Sequence, residues 1–324
     1  MRVAILDDIH NAYDRQPAVH RLRQRAEVRI FTEPFGDPAN LRGFEAVVAN
    51  RERTRFTREL LQQLPDLKLI VQTGNHAYHV DFAAAKELGI TVARTAGHYD
   101  TRPGFKGTSG VVELTLGLIL ALLRHIVSSD AGMRRGEWPA PLSYELLGKT
   151  LGIVGVGNVG ARVAKLADAF GMRLLAWSPS LTDERAKGIG AERRDLDDLL
   201  RQSDVVSIHV PLSPQSRNLI GARELGLMRP TSYLINTSRG PIVTETALIE
   251  TLKAGRIAGA GLDVFDQEPL PRDHPLRSLP NVVLTPHLGW PTDNAYAAFA
   301  EVTVGALLNY MDGNSVLKFE EDVA

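Results

Sequence analysis

Cysteine is missing from all 324 residues. Its absence excludes disulfides, thiolate nucleophiles and cysteine-ligated zinc or iron–sulfur centres, and it fits a reducing compartment. Charge of one sign is not in excess: 37 basic and 38 acidic residues leave a formal net charge of −1, which argues against nucleic acid or a membrane surface as partner. Long hydrophobic runs are lacking. The longest, "LTLGLILALL" at 114–123, is bounded by Glu113 and Arg124 and is too short to span a bilayer. The opening "MRVAILDD" reaches acidic residues before a signal-peptide core can form. A cytoplasmic location is therefore expected. Internal repeats and low-complexity tracts are also lacking.

What remains is ordinary globular material, 44% hydrophobic and 23% charged, long enough for two domains. The first hundred residues alternate strand-like runs ("RVAILD" 2–7, "AEVRIFT" 26–32, "EAVVAN" 45–50, "LKLIVQT" 67–73, "ITVART" 90–95) with amphipathic segments such as "TRELLQQL" (57–64) and "DFAAAKELG" (81–89). In the last of these, Asp81 suits an N-cap and Gly89 a stop. One long apolar helix is expected over about 108–127. A second alternating series follows: "TLGIVGV" (150–156), "RLLAWS" (173–178), "DVVSIHV" (204–210), "SYLINTS" (232–238), "IAGAGLDV" (257–264) and "NVVLTPH" (281–287). Residues 292–311 read as a closing helix. Strands alternating with helices predict parallel sheets covered on both faces, hence two doubly wound α/β domains with a cleft between them.

The most informative local pattern is G-x-G-x-x-G at Gly155, Gly157 and Gly160. Composition alone would produce it about 0.2 times in this chain, so its context carries the weight. A strand precedes it, an amphipathic helix opens on it, and a second strand follows. The first glycine permits the tight turn, the second lets backbone approach a pyrophosphate, and the third lets helix and strand pack closely. Asn158 and Val159 lie within the same helix start, where free N–H groups meet phosphates. The residue that reads the adenosine ribose belongs at the end of the second strand. Ser178 and Pro179 stand there, with no acid to repel a 2′-phosphate and no immediate arginine to attract one. The cofactor is therefore NAD or NADP, with the preference open.

The blocks "LGKTLGIVGVGNVG" (147–160), "VVSIHVPLSPQSRNLIG" (205–221), "INTSRGPIVTETALIETLKAGRIAGAGLDVFDQEPL" (235–270) and "NVVLTPHLG" (281–289) resemble the D-isomer-specific 2-hydroxyacid dehydrogenases. The resemblance implies a Rossmann-type cofactor domain, here 99–290, inserted into a flavodoxin-like substrate domain made of 1–98 and 291–324. It implies a catalytic arginine, glutamate and histidine at Arg239, Glu268 and His287. The chemistry suits these types. An arginine fork holds a 2-oxoacid carboxylate, a histidine near neutrality moves the proton of the carbinol oxygen, and a neighbouring carboxylate favours its imidazolium form. Asp263 matches a residue that contacts the nicotinamide carboxamide, while Thr237, Val210 and Pro211 are expected to line the cofactor. Singly, an arginine in a turn is usually solvated and a histidine after Thr-Pro usually packs; their order and context favour the catalytic reading. A homodimer follows from the same resemblance, paired in part through the helix at 108–127, which could equally be plain core.

The family's glycine-rich substrate loop, resembling G-x-G-x-D-x-I-D, falls on "GNHAYHVD" (74–81). Gly74, Asn75 and His76 are thus candidate substrate-binding residues, with His76 where the second glycine stands. Its imidazole could narrow the pocket or simply pack. His76, His79 and Asp81 also have a metal-like spacing, but Asp81 is better used as a helix cap, so no metal is expected. Trp290 follows the catalytic histidine and either walls the substrate pocket or packs a hinge. Arg51, Arg53 and Arg55 in "ANRERTRF" form a charge run that is solvated or meets a substrate phosphate or second carboxylate. The expected reaction moves hydride between NAD(P)H and C2 of a small 2-oxoacid of the hydroxypyruvate, glyoxylate or 3-phosphoglycerate type. Two alternatives use the same scaffold: a nucleotide-sensing corepressor, and oxidation of a small inorganic or one-carbon anion. The chain closes soon after its last helix, so no appended regulatory domain is expected.

Overall fold

The computed structural model describes residues 1–74, 77–95, 109–139 and 141–319. The chain divides into two compact units, Met1–Gly107 with Thr292–Ala324, and Thr108–Pro291. The first unit holds a five-stranded parallel sheet of β1 (Arg2–Ile5), β2 (Glu27–Ile30), β3 (Ala46–Ala49), β4 (Leu69–Gln72) and β5 (Thr91–Arg94), in the order β2-β1-β3-β4-β5. That is the flavodoxin-like order. β3 and β4 are buried along their whole length, as the apolar runs Ala46–Ala49 and Leu69–Val71 require of strands covered on both faces, and β4 ends on the buried Gln72. Asp81 caps the helix Phe82–Glu87 by accepting the Ala84 N–H at 2.8 Å. The helix Asp293–Met311, capped by Thr292, returns to this unit, and its Tyr296 meets the ring of Tyr13 edge-on.

The second unit carries seven parallel strands: β6 (Thr150–Val154), β7 (Arg173–Trp177), β8 (Glu192–Arg193), β9 (Val205–Ile208), β10 (Tyr233–Asn236), β11 (Gly259–Leu262) and β12 (Val282–Leu284). Their order is β12-β11-β10-β9-β6-β7-β8. This is the 3-2-1-4-5-6 Rossmann order extended by one strand, and the order reverses between β6 and β9, the place where such sheets bind nucleotides. Apolar side chains cover both faces, with Leu118, Ile119, Val163 and Leu174 in one cluster and Leu199, Val206, Leu234 and Leu248 in the other.

One strand was not foreseen and one sequence expectation needs correction. The two-residue β8 lacks an apolar run and was not legible. The single helix expected over 108–127 is two, Ser109–Leu123 and Ile126–Arg134, bent by 63°. His125 takes the left-handed conformation at the break (φ +52°), and the Leu123 carbonyl accepts the Tyr144 N–H instead of continuing the helix. Among the described residues no single helix is long and apolar enough to cross a membrane.

Candidate active site

The glycine loop begins where β6 ends. Gly155 has φ +109°, and a Cβ there would lie 2.6 Å from the Val210 amide nitrogen across the switch point. At Gly160 a Cβ would meet the Gly155 carbonyl oxygen at 2.1 Å. The protein's own backbone thus demands these two glycines. Gly157 differs, because a Cβ added there meets nothing within 4 Å. The free space lies at the start of the helix Asn158–Ala169, whose N-cap is Gly157 itself and offers no side-chain cap. First-turn N–H groups without intrahelical partners face that space, and these features fit a dinucleotide pyrophosphate.

Because all seven strands are parallel, the loops after β9, β10, β11 and β12 emerge at the same edge as the glycine loop. The turn after β10 is held internally and laterally. Asn236 accepts the Ser238 N–H at 3.0 Å and donates to the Arg239 carbonyl at 3.0 Å. Ser238 donates to the Val210 carbonyl at 2.5 Å, tying this turn to the one after β9. Arg239 Nη1 donates to the Ser238 carbonyl at 2.7 Å. Next, Gly240 lies directly against the loop after β11: a Cβ would come 2.1 Å from the Phe265 carbonyl carbon. The following loop folds back so that the Phe265 N–H donates to Glu268 Oε1 at 2.9 Å. Glu268 Oε2 meets His287 Nδ1 at 2.6 Å. Burial pushes the Glu268 carboxyl up, but the hydrogen bond and charge of His287, the Phe265 N–H and the Arg239 charge together hold it below the usual carboxylate range. His287 adopts a left-handed backbone, φ +55°. The three predicted catalytic side chains therefore come from three adjacent strand ends, with the His287–Glu268 bond formed and Arg239 near enough to act on Glu268 electrostatically.

Residues 116–289 match the family model described as D-isomer specific 2-hydroxyacid dehydrogenase, NAD binding domain. The chain is 42% identical to a glyoxylate reductase of Aeropyrum pernix over 80% of its own length and 78% of that protein's. The chain belongs to the D-isomer specific 2-hydroxyacid dehydrogenase family. Among solved structures it is similar to a phosphoglycerate oxidoreductase of Vibrio cholerae, with TM-score 0.86, 33% identity and coverage of 97% of this chain and 99% of that one. A D-lactate dehydrogenase of Aquifex aeolicus, solved with NAD and lactic acid, aligns with TM-score 0.74 at 28% identity, covering 97% and 96% of the two chains.

Other residues named for this dehydrogenase site have additional or different partners. Asp263 is 1% exposed. Its Oδ1 accepts the Thr285 hydroxyl at 2.6 Å and the Leu288 N–H at 2.7 Å, and its Oδ2 accepts the Gly289 N–H at 3.0 Å. Burial raises its pKa against those three bonds and the nearby His287. Asp263 thus clamps the turn that carries His287, with about one acceptor site of four left over. Sequence reasoning missed this clamp; the visible signal was Thr285, two residues before His287. The Thr237 hydroxyl lies 2.9 Å from that of Thr115, whose own proton has the Val111 carbonyl at 2.7 Å, so the pair ties β10 to the helix Ser109–Leu123. Ser178, Pro179 and Pro211 follow β7 and β9 as expected, and Trp290 is half-buried after Gly289.

In the other unit, Gly74 follows β4 with φ +99°, and a Cβ on it would meet Arg51 Nη1 at 2.3 Å. Arg51 itself has φ +61° and donates its N–H to Thr73 Oγ1 at 2.8 Å. Asn75 and His76 lie outside the described residues. His79, 7% exposed, packs near the rings of Phe56 and Tyr78, and burial lowers its pKa. Among the described residues no group of three His, Asp or Glu could hold a metal.

Proposed function

We propose that this dehydrogenase reduces a small 2-oxoacid at C2, or oxidises the matching D-2-hydroxyacid, with NAD or NADP. Segments 1–98 and 291–324 form its substrate domain and 99–290 its dinucleotide-binding domain. The observation that carries the reading is the 2.6 Å His287–Glu268 bond beside Arg239, at the strand edge that also bears the glycine loop. The bound nicotinamide supplies or accepts hydride. Arg239 holds the substrate carboxylate as a forked cation. His287 donates a proton to the C2 oxygen in reduction and removes it in oxidation. Glu268 fixes the ring through Nδ1, leaving Nε2 for the substrate, and stabilises the imidazolium. Gly74, Asn75, His76 and Trp290 contact substrate. Gly155, Gly157, Asn158, Val159 and Gly160 hold the pyrophosphate, while Ser178, Pro179, Val210, Pro211, Thr237 and Asp263 line the rest of the cofactor.

The substrate is of the glyoxylate, hydroxypyruvate or 3-phosphoglycerate type; glyoxylate and phosphoglycerate both appear in the names of its relatives. The protein works as a cytoplasmic homodimer. Exposed apolar side chains on and after the second half of the bent helix pair, among them Ile126, Val127, Met133 and Trp138, support that pairing. Initial rates with glyoxylate, hydroxypyruvate, phosphohydroxypyruvate and pyruvate, each with NADH and NADPH, test the reaction. His287→Ala should lower kcat at least about 100-fold. Cofactor binding without turnover of any 2-oxoacid would refute the proposal and favour a sensor.

A further inference from the structure

The end of β7 lacks the acid that would accept the ribose 2′-hydroxyl, and the sequence offers no adjacent arginine in its place. The structure brings one from further along the chain. Thr182 caps the short helix Asp183–Lys187, its hydroxyl accepting the Arg185 N–H at 3.3 Å. Leu181 and Ala186 are buried and anchor the segment. The Arg185 side chain then turns back to the glycine loop: Nη2 donates to the carbonyl of Val156, the residue between Gly155 and Gly157, at 3.1 Å. Nη1 reaches the carbonyl of Ser180, just past the end of β7, at 3.5 Å. The guanidinium thereby bridges the two segments that flank the adenosine ribose in a Rossmann domain.

Its charge is also available. Both contacts are to carbonyl oxygens, and among the described residues no carboxylate lies within ion-pair distance of Arg185, although two acids stand on the same helix. Asp183 is paired with Arg193 at 3.5 Å, and Glu184 is exposed. Arg194, the other cation nearby, pairs with Glu192. Arg185 is thus a fixed, charged, solvent-reachable fork with donors left over beyond its two carbonyl bonds, next to an unacidic strand end. We infer that Arg185 reads the 2′-phosphate of the adenosine ribose, so that this dehydrogenase prefers NADP over NAD. The inference deepens the proposed function and rests only on its dinucleotide-binding part.

The test uses binding, so that it does not depend on finding the substrate. Titration calorimetry on the intact protein compares adenosine 2′,5′-bisphosphate with 5′-AMP. A charge-assisted contact to a phosphate should make the bisphosphate bind about 10–100-fold tighter. Arg185→Gln should remove at least about 10-fold of that advantage while shifting the 5′-AMP Kd less than about 2-fold, and Arg185→Lys should restore part of it. Ser178→Asp, which places the missing acid, should reverse the preference. Equal affinity of the wild type for the two ligands, or an Arg185→Gln loss that is the same for both, overturns the inference. Selective binding without 2-oxoacid turnover would leave it standing and sink the proposed reaction instead.

Discussion

Gly240→Ala isolates the role of loop packing in the site, because only space forbids the added methyl. A Cβ at Gly240 would sit 2.1 Å from the Phe265 carbonyl carbon, 2.2 Å from its oxygen and 2.5 Å from the Asp266 nitrogen. Normal carbon contacts need about 3.5–4 Å, so the loops after β10 and β11 must part by roughly 1.5 Å. Backbone atoms cannot swing aside as a side chain can. The displaced loop contains Phe265, whose N–H holds Glu268, which in turn holds His287. Arg239, adjacent to the new methyl, shifts relative to both. A misplacement of about 1 Å costs about 100-fold in rate, and overpacking of this kind costs about 1–3 kcal/mol of stability, a few degrees in Tm. The control is Gly157→Ala, where a Cβ meets only open space. That variant should keep the wild-type Tm and lose cofactor affinity. Steady-state kinetics on the identified oxoacid, calorimetric cofactor titration and thermal melts separate the two. Wild-type kcat/KM in Gly240→Ala would refute the claim that this close approach sets the triad.

Glu268→Gln should lower kcat/KM about 10–100-fold by removing the imidazolium's partner. Since Glu268 titrates below the ordinary carboxylate range, its ionised form stabilises the fold above pH about 4.5, and that contribution fades as pH falls through its depressed pKa. Urea titrations below pH 4.5 should therefore show a shallower acid loss in the variant; an identical loss would count against the coupling. Burial lowers His209, which is bonded to Ser207 at 2.9 Å, to about 4. The unfolded chain thus takes up a proton near pH 6.5 that the native state refuses, so stability falls between pH 6.5 and 4 by up to about 3 kcal/mol. His209→Gln should flatten that slope in the same urea titrations. Trp138 is 85% exposed, and if it lies in the proposed homodimer interface, Trp138→Asp should give monomer by light scattering at micromolar concentration; an unchanged mass would count against that interface.

Apolar runs bounded by polar or turn residues made eleven of the twelve strands among the described residues readable, because buried parallel strands leave that pattern. β8 has only Glu192 and Arg193, both exposed, so hydrophobicity could not mark it. The break at His125 was hidden for a similar reason, since neither glycine nor proline punctuates it. The placement of Arg239, Glu268 and His287 just after β10, β11 and β12 was legible through local blocks of sequence. Asp263 was read as a cofactor contact, and its clamp on Leu288 and Gly289 was not, because it depends on how β11 and β12 pair. The close approach of Gly240 to Phe265 likewise joins loops that only the fold brings together. Arg185 was visible as a residue, but its direction follows from the Thr182 cap and the glycine loop.

The left-handed backbone of His287 has an evolutionary consequence. A side-chain-bearing residue in that region carries a strain of about 1 kcal/mol that glycine would not. The bond from its N–H to the Asp263 carbonyl at 2.9 Å holds the conformation in place. His287→Gly would then melt later than His287→Ala while being equally inactive. Backbone ease alone would favour glycine at this position, so histidine kept in a lineage would mark where its side chain, through the Glu268 bond and the proposed proton transfer, has been maintained.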